Sequence, residues 1–384
     1  MVQNLKDLMA KFSNEDTCRE FLAQQRWGGK PVCPYCGSGK HYIIEGGKRY
    51  KCGNNECYKK YSVTVGSIFH ASNIPLTTWF PAMYLIISHK KGISSIQLGK
   101  DLGVTQKTAW FMLHRIRESL KDKESTLLSN IVEIDEVYIG GKVKNMHNKK
   151  RASLRTENGG TENNKMMVMG MLEREGNLRL VVSGKADAAK NIKPIVRNNI
   201  DKTSCLITDS AGYYTGLQNE FAAHEVVNHA ANEYVRSGII HTNGIEGAFS
   251  MLKRSIIGVY HQLSPKHLSR YCVETQYRYN TRKIKDGDRF ELTLQRVNGT
   301  LSYKELTKDN GLTNEGTIVP AFPPQIITKG AIKRAVIQLL NDKEIAQYPT
   351  IKEASAITGI EVSLISKVLR GITKTTNGYQ WKYL

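Results

Sequence analysis

The sequence predicts a multidomain α/β protein, and three observations predict it. At 384 residues the chain is longer than one ordinary hydrophobic core organises. Four of its seven cysteines crowd into residues 33–57 in paired spacing, which is metal-ligand arithmetic and not a disulfide framework. From residue 131 the apolar pattern changes from helical spacing to short strand-like runs separated by helical ones, as in a mixed sheet flanked by helices.

Composition narrows the function classes. The formal net charge of +20 favours a polyanionic partner, and nucleic acid is the usual one. A merely soluble basic protein is the plain alternative. Hydrophobic residues make up 40% of the chain, enough to fill cores. No apolar run approaches the ~20 residues that span a bilayer. The opening MVQNLKDLMAKFSNED lacks the basic start and apolar stretch of a secretory signal. The expected setting is therefore the cytoplasm, or the nucleus of a eukaryotic host, on DNA and away from membranes.

Residues 1–70 read as a helical lead-in and a zinc ribbon. Leu5, Leu8, Met9 and Phe12 line one side of a helical stretch over 4–26, with Phe21 and Leu22 further along. Cys33 and Cys36 then give C-x2-C, and Cys52 and Cys57 give C-x4-C. Two knuckles joined by a basic hairpin turning at Gly46-Gly47 can bring four thiolates together tetrahedrally around zinc. So small a domain has too little apolar content to fold alone, so the metal must supply its stability. With every ligand position filled, the site is structural.

Residues 71–125 read as a helix-turn-helix DNA-binding domain. Trp79, Phe80, Met83, Tyr84 and Ile87 form a first stripe, and Ile96 to Leu102 a short helix that Gly103 ends. Thr105 caps the next helix, whose buried face is Ala109, Met112, Leu113, Ile116 and Leu120. The opposite face offers Gln106, Lys107, His114, Arg115 and Arg117 to phosphates and base edges. A three-helix bundle without DNA would show the same stripe.

Residues 126–298 carry the strand pattern. Ile131 to Gly141 is strand-like, with Asp135 within it and Glu136 beside it. Residues 142–164 are basic and Gly/Asn-rich, a loop able to close over a phosphate backbone. Residues 165–173 and 178–184 form a hairpin about Glu175-Gly176-Asn177, and 185–199 a helix burying Ala188, Ile192, Ile195 and Val196. A short apolar strand ends at Asp209, a helical turn follows, and 226–235 read as an edge strand. A carboxylate at such a strand end is commonly a cap or turn residue.

The run HTNGIEGAFSMLKR, His241 to Arg254, completes the pattern. Thr242 or Asn243 can cap a helix whose buried stripe is Ile245, Phe249, Leu252 and Ile256. Glu246, Ser250 and Lys253 fall on a neighbouring face, with Glu246 and Lys253 roughly 10 Å apart along the axis. A carboxylate and an ammonium so placed can hold a metal ion and grip the phosphodiester next to it. If Asn243 is the cap, Glu246 has the plainer reading of a capping-box glutamate. The order of three strands, helix, strand, helix, strand, helix matches a ribonuclease-H-like core.

Ser264 and Pro265 then begin a helix to about Lys283. Leu268, Tyr271, Cys272, Thr275 and Tyr279 line its buried side, and His267, Arg270, Arg278, Arg282 and Lys283 are left for a duplex. Residues 299–330 hold three of the ten prolines and read as a linker. Residues 331–384 read as a separate basic module. It has a hairpin about Asn341-Asp342, a capping box from Thr350, a second helix from Ser363 to Arg370, and a closing strand over 378–384.

Together, the CPYC ribbon, VEIDEVYIGGK, LITDSAGYY, HTNGIEGAFSMLKR and LSPKHLSRY…YRYNTRK resemble the insertion-sequence DDE transposases of the zinc-ribbon, ISXO-like group, to which the Merlin transposons are similar. The resemblance covers about residues 15–290. It implies Asp135, Asp209 and Glu246 as the acid triad that holds two magnesium or manganese ions, with Lys253 as the downstream basic residue. Parts of the group carry Asn as the third ligand, and here Asn243 stands close by. It further implies metal-dependent cutting of transposon ends and strand transfer into target DNA, by a homodimer or larger assembly on paired ends. Arg254, Arg270, Arg278 and Arg282, with Gln106, Lys107 and Arg115, are the expected DNA contacts. The tail from about 335 resembles the modular DNA-binding repeat found behind homing endonucleases. The rival readings are a nuclease without strand transfer, a zinc-ribbon regulator with an inactive core, and a structural RNA-binding basic protein.

Overall fold

Asparagine caps set the first two helices. The side chains of Asn4 and Asn14 accept the amides of Asp7 and Thr17, starting α1 (Leu5–Lys11) and α2 (Glu15–Trp27). The lead-in is thus two helices where one was expected, because Asn14 restarts the chain. The computed structural model describes residues 2–121, 126–141, 147–148, 165–183, 189–228, 235–236, 240–308, 336–340, 343–349, 351–369, 373 and 375–383. The chain divides into two compact units, the larger reaching Gln325 and the smaller carrying Ile326–Leu384.

In the larger unit, β1 (His41–Ile44), β2 (Arg49–Cys52) and β3 (Lys60–Tyr61) make an antiparallel ribbon. Tyr50 stacks on Tyr61 at 5.5 Å, and Trp27 meets both rings edge-on. Three helices follow, α3 (Leu76–Ser88), α4 (Ser95–Leu102) and α5 (Gln106–Ser119). Pro75 gives α3 no side-chain cap, and Glu15 of α2 does that work by accepting the Leu76 amide at 2.8 Å. Ser94 and Thr105 cap α4 and α5, and Gly103 ends α4 at φ +66°, as its lack of a Cβ allows.

The central sheet contains β4 (Ile131–Ile139), β5 (Met166–Glu173), β6 (Leu178–Val182), β7 (Cys205–Asp209) and β8 (Ala223–Val227) in the order β6-β5-β4-β7-β8. β4, β5 and β6 pair antiparallel, whereas β7 and β8 continue parallel to β4. α6 (Ala189–Asn199) packs Ile192, Ile195 and Val196 on one face. α7 (Asn243–Ser255) and α8 (Leu268–Asn280) cover the other with Ile245, Phe249, Leu252, Leu268 and Cys272.

Some boundaries differ from expectation. Two short 3₁₀ turns, Gly212–Tyr214 and Leu217–Asn219, join β7 to β8. The edge strand ends at Val227 because it pairs along the whole of β7, from Cys205 opposite Ala223 to Asp209 opposite Val227. Ser264 makes no side-chain cap, so Pro265–His267 is a 3₁₀ turn and α8 starts at Leu268. After α8, α9 (Asp286–Gln295) returns Phe290, Leu294 and Val297 to the core built by α1 to α5, and α10 (Tyr303–Thr307) starts from a Ser302/Glu305 capping box.

The smaller unit has an antiparallel sheet, β9 (Val336–Leu340) between β10 (Lys343–Tyr348) and β11 (Gln380–Tyr383). With α11 (Ile351–Thr358) and α12 (Val362–Leu369), it encloses Val336, Ala354, Ile365 and Trp381. The expected loop over 142–164 (His147 and Asn148 apart), the residues 185–188 and 229–234, the turn at 341–342, Thr350 and the linker over 309–330 lie outside the described residues. Among the described residues, no helix is long and apolar enough to cross a membrane.

Candidate active site and metal centre

The ribbon forms the expected metal centre. Cys33, Cys36, Cys52 and Cys57 bring their sulfurs within 4.8 Å of one another, with Cys33 and Cys52 buried. The Cys52 amide donates to Lys59 O at 3.0 Å, and the Asn54 amide points at Cys52 Sγ at 3.4 Å. Four soft thiolates with no open position suit structural zinc. Stripping that zinc with a strong chelator is expected to unfold the ribbon, since structural zinc contributes about 10–16 kcal/mol in small zinc domains. The check is tryptic cleavage at Arg49, Lys51 and Lys59, which should become fast. Cleavage unchanged by chelation would mean that the ribbon folds without metal.

The acids are positioned by the sheet. Side chains alternate along β4. Val132 and Ile134 join the cluster under α6, whereas Val137 joins that under α7 and α8, so Glu133 and Asp135 face α7. β4 runs parallel to β7 with Ile131 opposite Cys205 and Glu133 opposite Ile207. Continuing that register sets Asp135 beside Asp209 on the same face. On its other side Asp135 lies opposite Gly170 of β5. A Cβ at Gly170 would lie 2.6 Å from Ile245 Cδ1 and from Phe249 Cζ, so α7 rests directly on this spot. Glu246 and Asn243 are both exposed in the first turn of that helix. Asp135 and Asp209 therefore share one face of the sheet, and Glu246 lies on the helix packed against β4 and β5. Among the described residues, only the cysteine quartet gathers all its donor atoms within 4.8 Å. Asp135, Asp209 and Glu246 are not gathered in that way, but as hard oxygen donors they would suit magnesium or manganese better than zinc.

The capping-box reading of Glu246 does not hold. Thr242 occupies the cap position without a side-chain cap, Asn243 is the first helical residue, and Glu246 is the fourth. Thr242 Oγ1 donates to Glu246 Oε1 at 3.2 Å. The amide a capping box would satisfy is that of Ile245, and Glu133 takes it at 3.0 Å. Glu133 is 1% exposed and also accepts from Arg174 Nε at 3.0 Å. Sequence reasoning missed it, although strand alternation puts residue 133 on the same face as Asp135.

Glu136 belongs to the opposite face. Tyr213 Oη donates to its carboxylate at 2.8 Å, and Tyr214 Oη donates as well. Burial pushes its carboxyl up to about 7, with a smaller push from Asp135 and Asp209, against the lowering effect of the two phenols.

The basic residues divide. Gln106 and Lys107 are exposed at the start of α5, and Lys253, Arg254 and Arg282 are exposed as well. Arg270 is half-buried and pairs with Glu118. Arg115 and Arg278 are corrected from the surface to the interior. Arg115 donates to Leu301 O at 3.0 Å and His70 O at 2.6 Å, and Arg278 pairs with the buried Glu274. His114 and Arg117 are fully buried too, because α5 packs on two sides and α8 covers the face that looked free. Burial pushes the His114 imidazole far down, helped by Arg117, so it stays neutral. His267 is buried as well, its imidazole pushed down to about 4 by burial and then by Arg270.

A four-thiolate ribbon precedes an α/β core in which Asp135, midway along β4, and Asp209, at the end of β7, stand on neighbouring strands, the organisation expected of a DDE transposase. Residues 127–280 match the ISXO2-like transposase domain and residues 13–60 the transposase zinc-ribbon domain, so the chain carries both domains. An uncharacterized protein in transposable element ISH50 of Halobacterium salinarum is 28% identical over 254 residues, covering 63% of this chain and 83% of the relative. Two solved structures are similar at 12% identity. The Mos1 strand transfer complex has a TM-score of 0.23, over 58% of this chain and 79% of that one. A pre-cleavage Mos1 transpososome has a TM-score of 0.22, over 57% and 79%. Likeness that slight carries no argument about the fold.

Proposed function

We propose that the chain is an insertion-sequence transposase that binds double-stranded DNA at terminal inverted repeats, cuts there and joins the freed end to target DNA. The observation that supports this most is the parallel register of β4 and β7, with Asp135 and Asp209 on the face that α7 covers. The sheet order, an antiparallel half followed by parallel strands, supports reading 126–298 as a ribonuclease-H-like catalytic core. The capped, Gly103-turned helices α4 and α5 support a helix-turn-helix over 71–125, behind a ribbon domain over 1–70. Of the expected linker over 299–330, residues 301–307 instead pack as part of the larger unit, with Leu301 and Leu306 buried, so only 309–330 are still read as linker, and 331–384 as an added DNA-binding repeat.

Asp135 would share both of two magnesium or manganese ions, and Asp209 and Glu246 would hold one each, with Asn243 the other candidate third donor. When bound, such ions lend the Lewis acidity that phosphodiester cleavage needs at neutral pH. The chain's own cations hold the strand. Lys253 and Arg254 lie two turns beyond Glu246 and can take backbone phosphates next to the acids. Gln106 and Lys107 can reach base edges, and Arg282 extends the basic surface. Joining two ends requires two active sites, so a dimer or larger assembly on DNA is expected, in a compartment that holds DNA.

The test is to incubate the protein with a labelled transposon end and supercoiled plasmid in magnesium or manganese. The expected product is the label covalently joined to plasmid. Cleavage without joining would make the chain a nuclease, and end binding with neither would make it a regulator with an inert core. No preference for the end sequence would remove the inverted-repeat reading.

A further inference from the structure

We propose that Glu133 is a positioning residue for the acid site, clamping the first turn of α7 so that Glu246 is held over Asp135. The inference rests on the catalytic reading of those two acids. Glu133 stands two residues before Asp135 on the same face of β4, and its carboxylate reaches the segment just ahead of Glu246. One oxygen accepts the Ile245 amide at 3.0 Å. The other accepts Arg174 Nε at 3.0 Å and lies 3.5 Å from His241 Nδ1. Arg174 reaches the same segment, donating from Nη2 to His241 O at 3.2 Å. Gly244 is what lets the carboxylate in, because a Cβ there would lie 2.7 Å from Glu133 Oε2.

The clamp is local. Beyond the first turn, α7 is held by Ala248, Phe249 and Leu252 in the apolar cluster with β5 and β6. Loss of Glu133 should therefore release residues 241–246 without detaching the helix. A buried carboxylate in this place has a polar cost, which Arg174 and the helix N-terminus offset. What the arrangement secures is the position of the next carboxylate along the helix. Partners one step outside a metal site typically change metal affinity about 10–100-fold when removed.

The experiment compares Glu133→Ala, Glu133→Gln and Asp135→Asn in the full chain. Hydrogen exchange is read at the amides of residues 243–246 and 249–252. Manganese binding is read by water proton relaxation without DNA, and end cleavage is followed across a manganese titration. For Glu133→Ala the expected result is exchange faster by at least ~10-fold at 243–246, largest at Ile245, with 249–252 unchanged, a manganese midpoint raised about 10–100-fold, and cleavage largely restored at saturating metal. Glu133→Gln keeps an acceptor for the Ile245 amide and should fall between the two.

A manganese midpoint unchanged in Glu133→Ala, or a rate lowered equally at every manganese concentration, would overturn the proposal. If exchange rises through 249–252 as well, the alanine variant has lost the fold and Glu133→Gln decides, an unshifted midpoint again overturning it. Asp135→Asn separates the two levels. Full cleavage by that variant sinks the catalytic reading, whereas the exchange at Ile245 judges the clamp alone.

Discussion

Asp135→Asn is expected to abolish end cleavage while leaving the fold and DNA binding intact. Asparagine matches aspartate in shape, so β4 keeps its pairing with Gly170 on one side and its parallel register with β7 on the other. What changes is one negative charge and one hard oxygen donor on the face covered by α7. In the proposed site Asp135 is the central acid, with Asp209 beside it in the continued register and Glu246 on the helix above. Its loss should remove most of the ions' hold, and a drop of at least ~10³ in single-turnover cleavage, about 4 kcal/mol, is the expected scale. Binding should persist because the cations offered to DNA, Lys107, Lys253, Arg254 and Arg282, are exposed and unchanged by the substitution. The measurements are cleavage of a labelled duplex end and a gel shift with the same duplex. Cleavage within tenfold of the parent chain would remove Asp135 from the chemistry. Lost binding or a lowered melting temperature would show that the substitution acted through the fold.

Much of this site could be read from the sequence because it depends on local pattern. The cysteine spacing specified the ribbon before any fold was known. The strand-like run from Ile131 placed Asp135 inside a strand, and the stripe Ile245, Phe249 and Leu252 specified which side of α7 is buried. The charged interior was harder to read, for a physical reason. Arg115, Arg117 and Arg278 stand at spacings that suit a solvated face, and only tertiary contact decides whether a guanidinium meets water or a buried acceptor. One signal was available. Tyr271, Glu274, Thr275 and Arg278 share one face of α8, and Glu274 with Arg278 is an i,i+4 pair on the buried side. Glu133 left a similar trace, a charge inside a strand whose neighbours Val132 and Ile134 are fully buried.

That buried charge predicts the largest stability effect in the chain, for Glu274→Ala. Glu274 is 0% exposed and carries two guanidinium partners, Arg117 Nε at 2.6 Å and Arg278 Nη1. Tyr260 Oη adds a hydrogen bond at 2.5 Å. The cluster ties α5 to α8 and to the π turn Ile256–Tyr260 that follows α7. It also explains Gly92, where a Cβ would lie 1.8 Å from Tyr260 Oη and 2.7 Å from Glu274 Oε1. Burial alone would push the Glu274 carboxyl up, but Arg278 and Arg117 outweigh it and hold the group below its ordinary range. Removing the carboxylate leaves two buried cations facing each other, with Arg117 keeping the Tyr271 ring 4.0 Å from its guanidinium. The expected cost is about 3–5 kcal/mol, read as a lowered urea midpoint at pH 7.

The sign of the pH dependence follows from the same pair. A depressed folded pKa contributes stability that is complete above the unfolded value, about 4.3 for glutamate, and is lost as pH falls through the folded value. The parent chain should therefore lose this contribution on acidification, and Glu274→Ala should show a flatter stability profile below about pH 4. Replacing Arg117, Glu274 and Arg278 together by Met, Leu and Met should recover much of the loss, since an apolar core of similar volume is often no less stable than a buried ion triad. A urea midpoint for Glu274→Ala equal to that of the parent would mean that the two arginines find water or other acceptors, and that the triad does not hold α5 to α8.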